Sequence, residues 1–170
     1  AREINMDAIV EMAEHAKVEL EVQVHGMTCM FQSRRTLIGN YFEYQGKEMK
    51  VENADQSRQL FLHDEERENK YPIFEDFNGT HIMSPNDICI IDELEEMIEA
   101  GISSFKIDGI LKDRAYIIEV TKLYRQALDA FMEDPEQYDE MKTKLLEEAE
   151  KLQPVNRKLD TGFFFKETVY

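Results

Sequence analysis

The stretch Glu19-Leu20-Glu21-Val22-Gln23-Val24-His25-Gly26 places Leu20, Val22 and Val24 on one side and Glu19, Glu21 and Gln23 on the other. Alternation at period two is the signature of a β-strand, and Gly26 supplies the conformational freedom that ends it. A second short stretch, Ser103-Ser104-Phe105-Lys106-Ile107-Asp108-Gly109, reads as another strand with the same glycine stop. Each lies next to helical sequence. Asn5 is suited to cap a helix over about 6–16, whose apolar stripe is Met6, Ile9, Val10, Ala13 and Ala16. Asp113 is suited to cap another, running to about Met132 with Ile117, Thr121, Tyr124, Leu128 and Phe131 on one face. Pro135 opens a last helix to about Gln153.

Helices alternating with strands through short connections predict parallel strands in an α/β layer. A complete eight-stranded barrel of this kind needs about 250 residues, so a chain of 170 residues is expected to supply only its C-terminal portion. The expected organisation is a barrel helix and strand over 1–39, a β-rich insertion over 40–83, a barrel helix, strand and following helix over 84–132, and a C-terminal helix and tail over 133–170. Within the insertion, Tyr41 to Val51 predicts one hairpin and Gln59 to His63 a strand. Tyr71 to Met83 predicts a hairpin turning at Asn78-Gly79, a pair suited to a type I′ turn. Ser84-Pro85 reads as N-cap and first residue of a helix, or a pair of short helices, reaching Ala100, with Gly101 as the stop.

Thirty-six acidic residues against twenty basic ones leave a net charge of −16. Such a chain repels phosphate backbones, so an RNA ligand would require positive charge from a partner or a further segment. The two cysteines, Cys29 and Cys89, form no disulfide framework, which points to a reducing, cytoplasmic setting. No apolar run approaches the ~20 residues that span a bilayer. The first residues, Ala1-Arg2-Glu3-Ile4, read as a chain beginning in mid-protein. Motifs for serine hydrolases, kinases, NTPases, dinucleotide-binding proteins and zincins are lacking.

Chemistry is therefore sought at the C-terminal ends of the two strands, where α/β barrels assemble their sites. His25 and Cys29 follow the first strand, and a thiolate beside an imidazole is an activated nucleophile. The competing reading is a buried structural cysteine. Lys106 and Asp108 interrupt a strand that should be aliphatic if buried, and charges there need a partner or a ligand. Pairing with neighbouring strands accounts for them equally well. The histidines lack metal-ligand spacing, and no metal site is expected.

The same segments carry a resemblance. Glu21 to Cys29 followed by Ser33 and Arg35, then Ser84-Pro85-Asn86-Asp87, Ile98 to Ile102 and Ser104 to Gly109, resemble blocks of the peptidase U32 (collagenase-like protease) family. Tyr116, Tyr124-Arg125, Leu128-Asp129 and Thr161-Gly162-Phe163 extend the similarity. The resemblance implies the last strands of a TIM-like α/β domain and the helices after them. It makes Ser33, Arg35, Tyr124 and Arg125 candidate substrate-binding residues beside the candidate catalytic His25, Cys29, Lys106 and Asp108. Members of the family are named as proteases, and bacterial relatives hydroxylate tRNA wobble uridine with prephenate as co-substrate, or hydroxylate ribosomal RNA cytidine. Some hold an iron–sulfur cluster on four cysteines. Here Thr36 stands in place of the second cysteine, Arg34 in place of a glycine, Asp108 in place of glutamate and Ile110 in place of arginine. One thiolate cannot hold such a cluster, so the chain resembles a paralogue that works without a cofactor of its own, beside a cluster-bearing protein partner. Three functions follow as expectations: a subunit in tRNA hydroxylation reaching tRNA through a complex, a peptidase, or a protein-interaction module. The exposed strand edges of an incomplete barrel also predict a homodimer.

Overall fold

A computed structural model describes residues 3–47, 60–65 and 69–166. These residues form a mixed α/β fold of five helices and two sheets. The chain divides into two compact units, residues 1–27 with 86–170, and residues 28–85.

The first unit contains α1 (Met6–His15), β1 (Glu21–Gly26), β6 (Asp87–Cys89), α3 (Leu94–Glu99), β7 (Ser104–Asp108), α4 (Arg114–Glu133), α5 (Pro135–Leu152) and β8 (Leu159–Asp160). Its sheet has the order β7-β1-β6-β8. β1 and β7 are parallel neighbours, as the helix–strand alternation predicts. The β6 strand runs antiparallel to β1 and parallel to β8, so the sheet is mixed. Asn5 caps α1, its Oδ1 accepting the Ala8 amide at 3.0 Å, and Asp113 caps α4, accepting the Tyr116 amide at 2.7 Å. Each such cap stabilises its helix by about 1 kcal/mol. Val22, Val24 and Ile88 from the sheet, Ile90 just after β6, Met6 and Ile9 from α1, and Val120, Leu123 and Ala127 from α4 share one core.

A bulge shapes this sheet. Gln23 is paired with Lys106, but the next pair is His25 with Ile107, so β1 carries one residue more than β7 between them. Phe105 and Ile107 pack against the core, so Lys106 and Asp108 lie on the other face of β7. Without this shift in register His25 would fall opposite Asp108. With it, His25 turns inward.

The second unit contains β2 (Cys29–Ser33), α2 (Leu37–Tyr44), β3 (Leu60–Asp64), β4 (Asn69–Asp76) and β5 (Gly79–Met83), the strands forming an antiparallel sheet of order β2-β5-β4-β3. The hairpin expected from Tyr41 is corrected: residues 41–44 are helical, and its far arm, residues 48–51, lies outside the described residues. Strand-forming aromatics are overridden from a distance. The Glu75 carboxylate accepts the Ile38 and Gly39 amides at 2.8 and 3.0 Å, and Thr80 Oγ1 accepts the Leu37 amide at 2.9 Å, so β4 and β5 cap α2. The β4–β5 hairpin forms, with its turn one residue earlier than expected. Asp76 pairs with Gly79, and Asp76 Oδ1 accepts the Asn78 amide at 2.8 Å.

The helix expected at Ser84 is also corrected. Ser84 Oγ accepts the Thr28 amide at 3.0 Å and its own amide donates to the Thr28 carbonyl at 2.7 Å, so this serine is tied to the link between β1 and β2 and starts no helix. Residues 87–89 form β6, and the helix of this region is α3.

Candidate functional site

A strand rich in aliphatics buries His25 completely, and an imidazole without hydrogen bonds there would be costly. Two tyrosines of α4 meet it. Tyr116 Oη lies 2.7 Å from Nε2 and Tyr124 Oη lies 3.4 Å from Nδ1. Tyr116 and Tyr124 are eight residues apart, two to three helical turns, which sets both hydroxyls along the face that covers β1. Tyr124 is inserted into the sheet. Val24 and Ile90 are the next opposed residues after the His25–Cys89 pair. In place of a direct ladder bond, the Ile90 amide donates to Tyr124 Oη at 3.3 Å and Tyr124 donates to the Val24 carbonyl at 2.8 Å. Burial lowers the His25 pKa to about 4, with Asp87 pulling it up and Lys112 pushing it down. His25 is neutral at physiological pH.

Asp87, fully buried at the start of β6, is the second centre. Lys112 Nζ lies 2.5 Å from its Oδ2, and Arg157 reaches Oδ1 with Nε at 3.0 Å and a terminal guanidinium nitrogen at 2.5 Å. Burial alone raises a carboxylate pKa, but the hydrogen bonds and charges of Arg157 and Lys112 outweigh it and hold Asp87 below its ordinary value. Lys112 also donates to Gln153 Oε1 at 3.2 Å and stands 4.6 Å from the Tyr116 ring centroid. The cation thus connects the Asp87 ion pairs with the His25–Tyr116 pair. Leu111, immediately before Lys112, has φ of 58°, a left-handed conformation that costs a branched residue of order 1–3 kcal/mol.

The remaining sequence candidates are placed as follows. Lys106 and Asp108 form an ion pair at 3.3 Å, on the face of β7 opposite to His25. Cys29 opens β2 in the second unit, its thiol donating to the Phe31 carbonyl at 3.4 Å. Ser33 and Arg35 adjoin there, the Arg35 amide donating to Ser33 Oγ at 3.2 Å. Arg125 is exposed and paired with Asp129. Of the eight candidates, His25 and Tyr124 are joined by a hydrogen bond, Ser33 and Arg35 by another, and Lys106 and Asp108 by an ion pair. Sequence reasoning missed Asp87, Lys112, Arg157 and Gln153. A signal existed at Asp87, a lone carboxylate heading the apolar run Ile88-Cys89-Ile90-Ile91.

A four-cysteine cluster does not fit these residues. Cys89 is buried in the core, with the Tyr124 hydroxyl 3.6 Å from its sulfur, and among the described residues no three His, Cys, Asp or Glu are grouped to hold a metal ion.

The sequence profile of peptidase family U32 matches residues 1–169. The chain belongs to peptidase family U32. Among similar proteins, tRNA hydroxylation protein P2 of Bacillus subtilis (strain 168) is 68% identical over 170 residues, covering 100% of this chain and 55% of that protein. tRNA hydroxylation protein P1 of the same strain is 32% identical over 166 residues, covering 96% of this chain and 38% of that protein. The 23S rRNA 5-hydroxycytidine C2501 synthase of Escherichia coli (strain K12) is 29% identical over 134 residues, covering 79% of this chain and 20% of that protein. This U32 chain spans about half the length of the first of these relatives, and less of the others. No solved structure matches it significantly. No helix among the described residues is long and apolar enough to cross a membrane.

Proposed function

We propose that this U32 chain is part of a protein that takes part in 5-hydroxylation of tRNA wobble uridine. The observation that carries this reading is the 68% identity, over all 170 residues, to tRNA hydroxylation protein P2. The buried constellation of His25, Tyr116, Lys112, Asp87 and Arg157 supports it, because a neutral imidazole and a phenol beside fixed charges form a site able to move protons. In this reading β1 and β7 are strands of a TIM-like barrel and prephenate is the co-substrate. A net charge of −16 disfavours direct grip on RNA, so tRNA is held through a complex with a protein partner, a cluster-bearing U32 paralogue, in the cytoplasm. Of the expected catalytic residues, His25 enters this reading through its buried hydrogen bonds, while Cys29, Lys106 and Asp108 stay proposals in their own surroundings. Of the expected substrate contacts, Ser33, Arg35 and Arg125 stay proposals and Tyr124 supports His25.

Peptidase activity follows from the family name alone. Of the two cysteines, Cys89 has its thiol pushed up to about 11 by burial, opposite to what a nucleophile requires.

The test is complementation. The full-length protein is expressed in a B. subtilis strain lacking both P1 and P2, and tRNA nucleosides are quantified by mass spectrometry. Restoration of 5-hydroxyuridine derivatives is expected. Absence of any restoration by a well-expressed protein refutes the reading.

A further inference from the structure

Hydrogen-bond counting around His25 fixes the direction in which its protons run. A carbonyl oxygen only accepts, a backbone amide only donates, and a phenol has one proton to give. Tyr124 Oη stands 2.8 Å from the Val24 carbonyl oxygen, 3.3 Å from the Ile90 nitrogen and 3.4 Å from His25 Nδ1. The Val24 contact is the shortest and takes the Tyr124 proton. The Nδ1 contact is then satisfied only if Nδ1 carries a hydrogen and donates it to Tyr124. In a neutral ring this leaves the lone pair on Nε2, where Tyr116 Oη lies at 2.7 Å and must be the donor. The opposite tautomer sets Nδ1 and the Val24 oxygen in competition for a single phenolic proton and leaves one buried acceptor without it.

We infer that Tyr116 and His25 form a proton-exchange dyad, in which Tyr124 holds the imidazole as its Nδ1–H tautomer and Tyr116 is the group that gives up a proton. In the exchange the Tyr116 O–H bond breaks and an N–H bond forms at Nε2, producing a phenolate and an imidazolium. Reversal of the same transfer restores the neutral pair. The charges act both ways: Asp87 attracts the imidazolium and Arg157 favours the phenolate, while Lys112 opposes the imidazolium and Asp87 the phenolate. Burial keeps the resting pair neutral, since it lowers the imidazole pKa and raises that of the phenol. Exposure sets the order along the chain. Tyr116 keeps 9% of its surface exposed, Tyr124 3% and His25 none, so a ligand's proton is exchanged at Tyr116. His25 and Tyr124 are positioning residues behind it.

The test is heteronuclear NMR of the histidine rings in the isotope-labelled full-length protein, with the His25 signals assigned by a His25→Gln variant. At pH 7 a neutral ring with its hydrogen on Nδ1 is expected. A hydrogen on Nε2, or an imidazolium, overturns the dyad. In Tyr124→Phe the Nδ1 acceptor is gone, and a shift toward the Nε2–H tautomer is expected; an unchanged ring overturns the role given to Tyr124. Where Tyr124→Phe does not fold, Tyr116→Phe decides, because the Nδ1–H tautomer should persist there and its loss refutes the count. The activity arm rests on the proposed function. In the complementation assay Tyr116→Phe is expected to lower tRNA hydroxylation at least tenfold, and full activity in that variant overturns proton exchange at Tyr116. Failure of the wild-type protein to hydroxylate sinks the function, while the ring measurement still judges the dyad.

Discussion

Lys112 Nζ and Asp87 Oδ2 are 2.5 Å apart, with no more than 4% of either side chain exposed. Arg157 completes the arrangement on Oδ1. Removing one member of a buried ion pair leaves an uncompensated charge and costs about 3–5 kcal/mol. Asp87→Ala strands two cations, whereas Lys112→Ala leaves Asp87 with Arg157. Urea denaturation of the two variants is expected to show Asp87→Ala as the less stable by at least about 1 kcal/mol. Equal stabilities would show that Arg157 does not share the carboxylate.

The His25 imidazole makes stability depend on pH. Its folded pKa is lowered from 6.5 to about 4. Below pH 6.5 the unfolded chain binds a proton that the folded chain refuses until about pH 4, so stability falls as pH falls through this window. The loss amounts to about 3 kcal/mol at about 1.4 kcal/mol per pKa unit. The groups facing the ring are Tyr116, Tyr124 and Cys89, with Asp87 and Lys112 acting through charge. Subtracting the stability profile of His25→Gln from that of the wild type isolates this contribution. Parallel profiles between pH 4 and 7 would contradict it.

Gly26 cannot carry a side chain. Its φ is 103°, and a Cβ would fall 2.1 Å from the Asp108 carbonyl oxygen, which is backbone and cannot step aside. Gly26→Ala is expected to destabilise the protein by more than about 1 kcal/mol and to open the β1–β7 ladder at that end. Hydrogen exchange of the β7 amides reads this directly. Unchanged protection would mean that the strands tolerate separation.

The two thiols should differ in reactivity. Cys89 is buried and its thiol is pushed up to about 11, while Cys29 is partly exposed. Iodoacetamide is expected to label Cys29 in the folded protein and both cysteines after denaturation, as counted by intact mass. Labelling of Cys89 under native conditions would show that the core around β6 opens readily.

Local chemistry was readable where one residue decides a local structure. Asn5, Asp113 and Pro135 mark helix starts, and the alternation of Leu20, Val22 and Val24 marks β1. Reading failed where a distant group decided instead. The sequence Tyr41-Phe42-Glu43-Tyr44 favours a strand until Glu75 caps the helix preceding it, and Ser84-Pro85 resembles a helix start until Thr28 occupies the serine. The site was half legible for the same reason. His25 stands out at a strand end, but Asp87 meets Lys112 across 25 residues and Arg157 across 70. No local spacing encodes such a meeting.

The register shift in β1 decides which face of this sheet receives the imidazole. Were β1 paired with β7 without this shift, Val24 would stand opposite Ile107 and His25 opposite Asp108, exchanging two phenols within the protein for the Lys106–Asp108 couple on the other face. One step of register there separates an imidazole held among phenols in the interior from one set beside an ion pair on the other face.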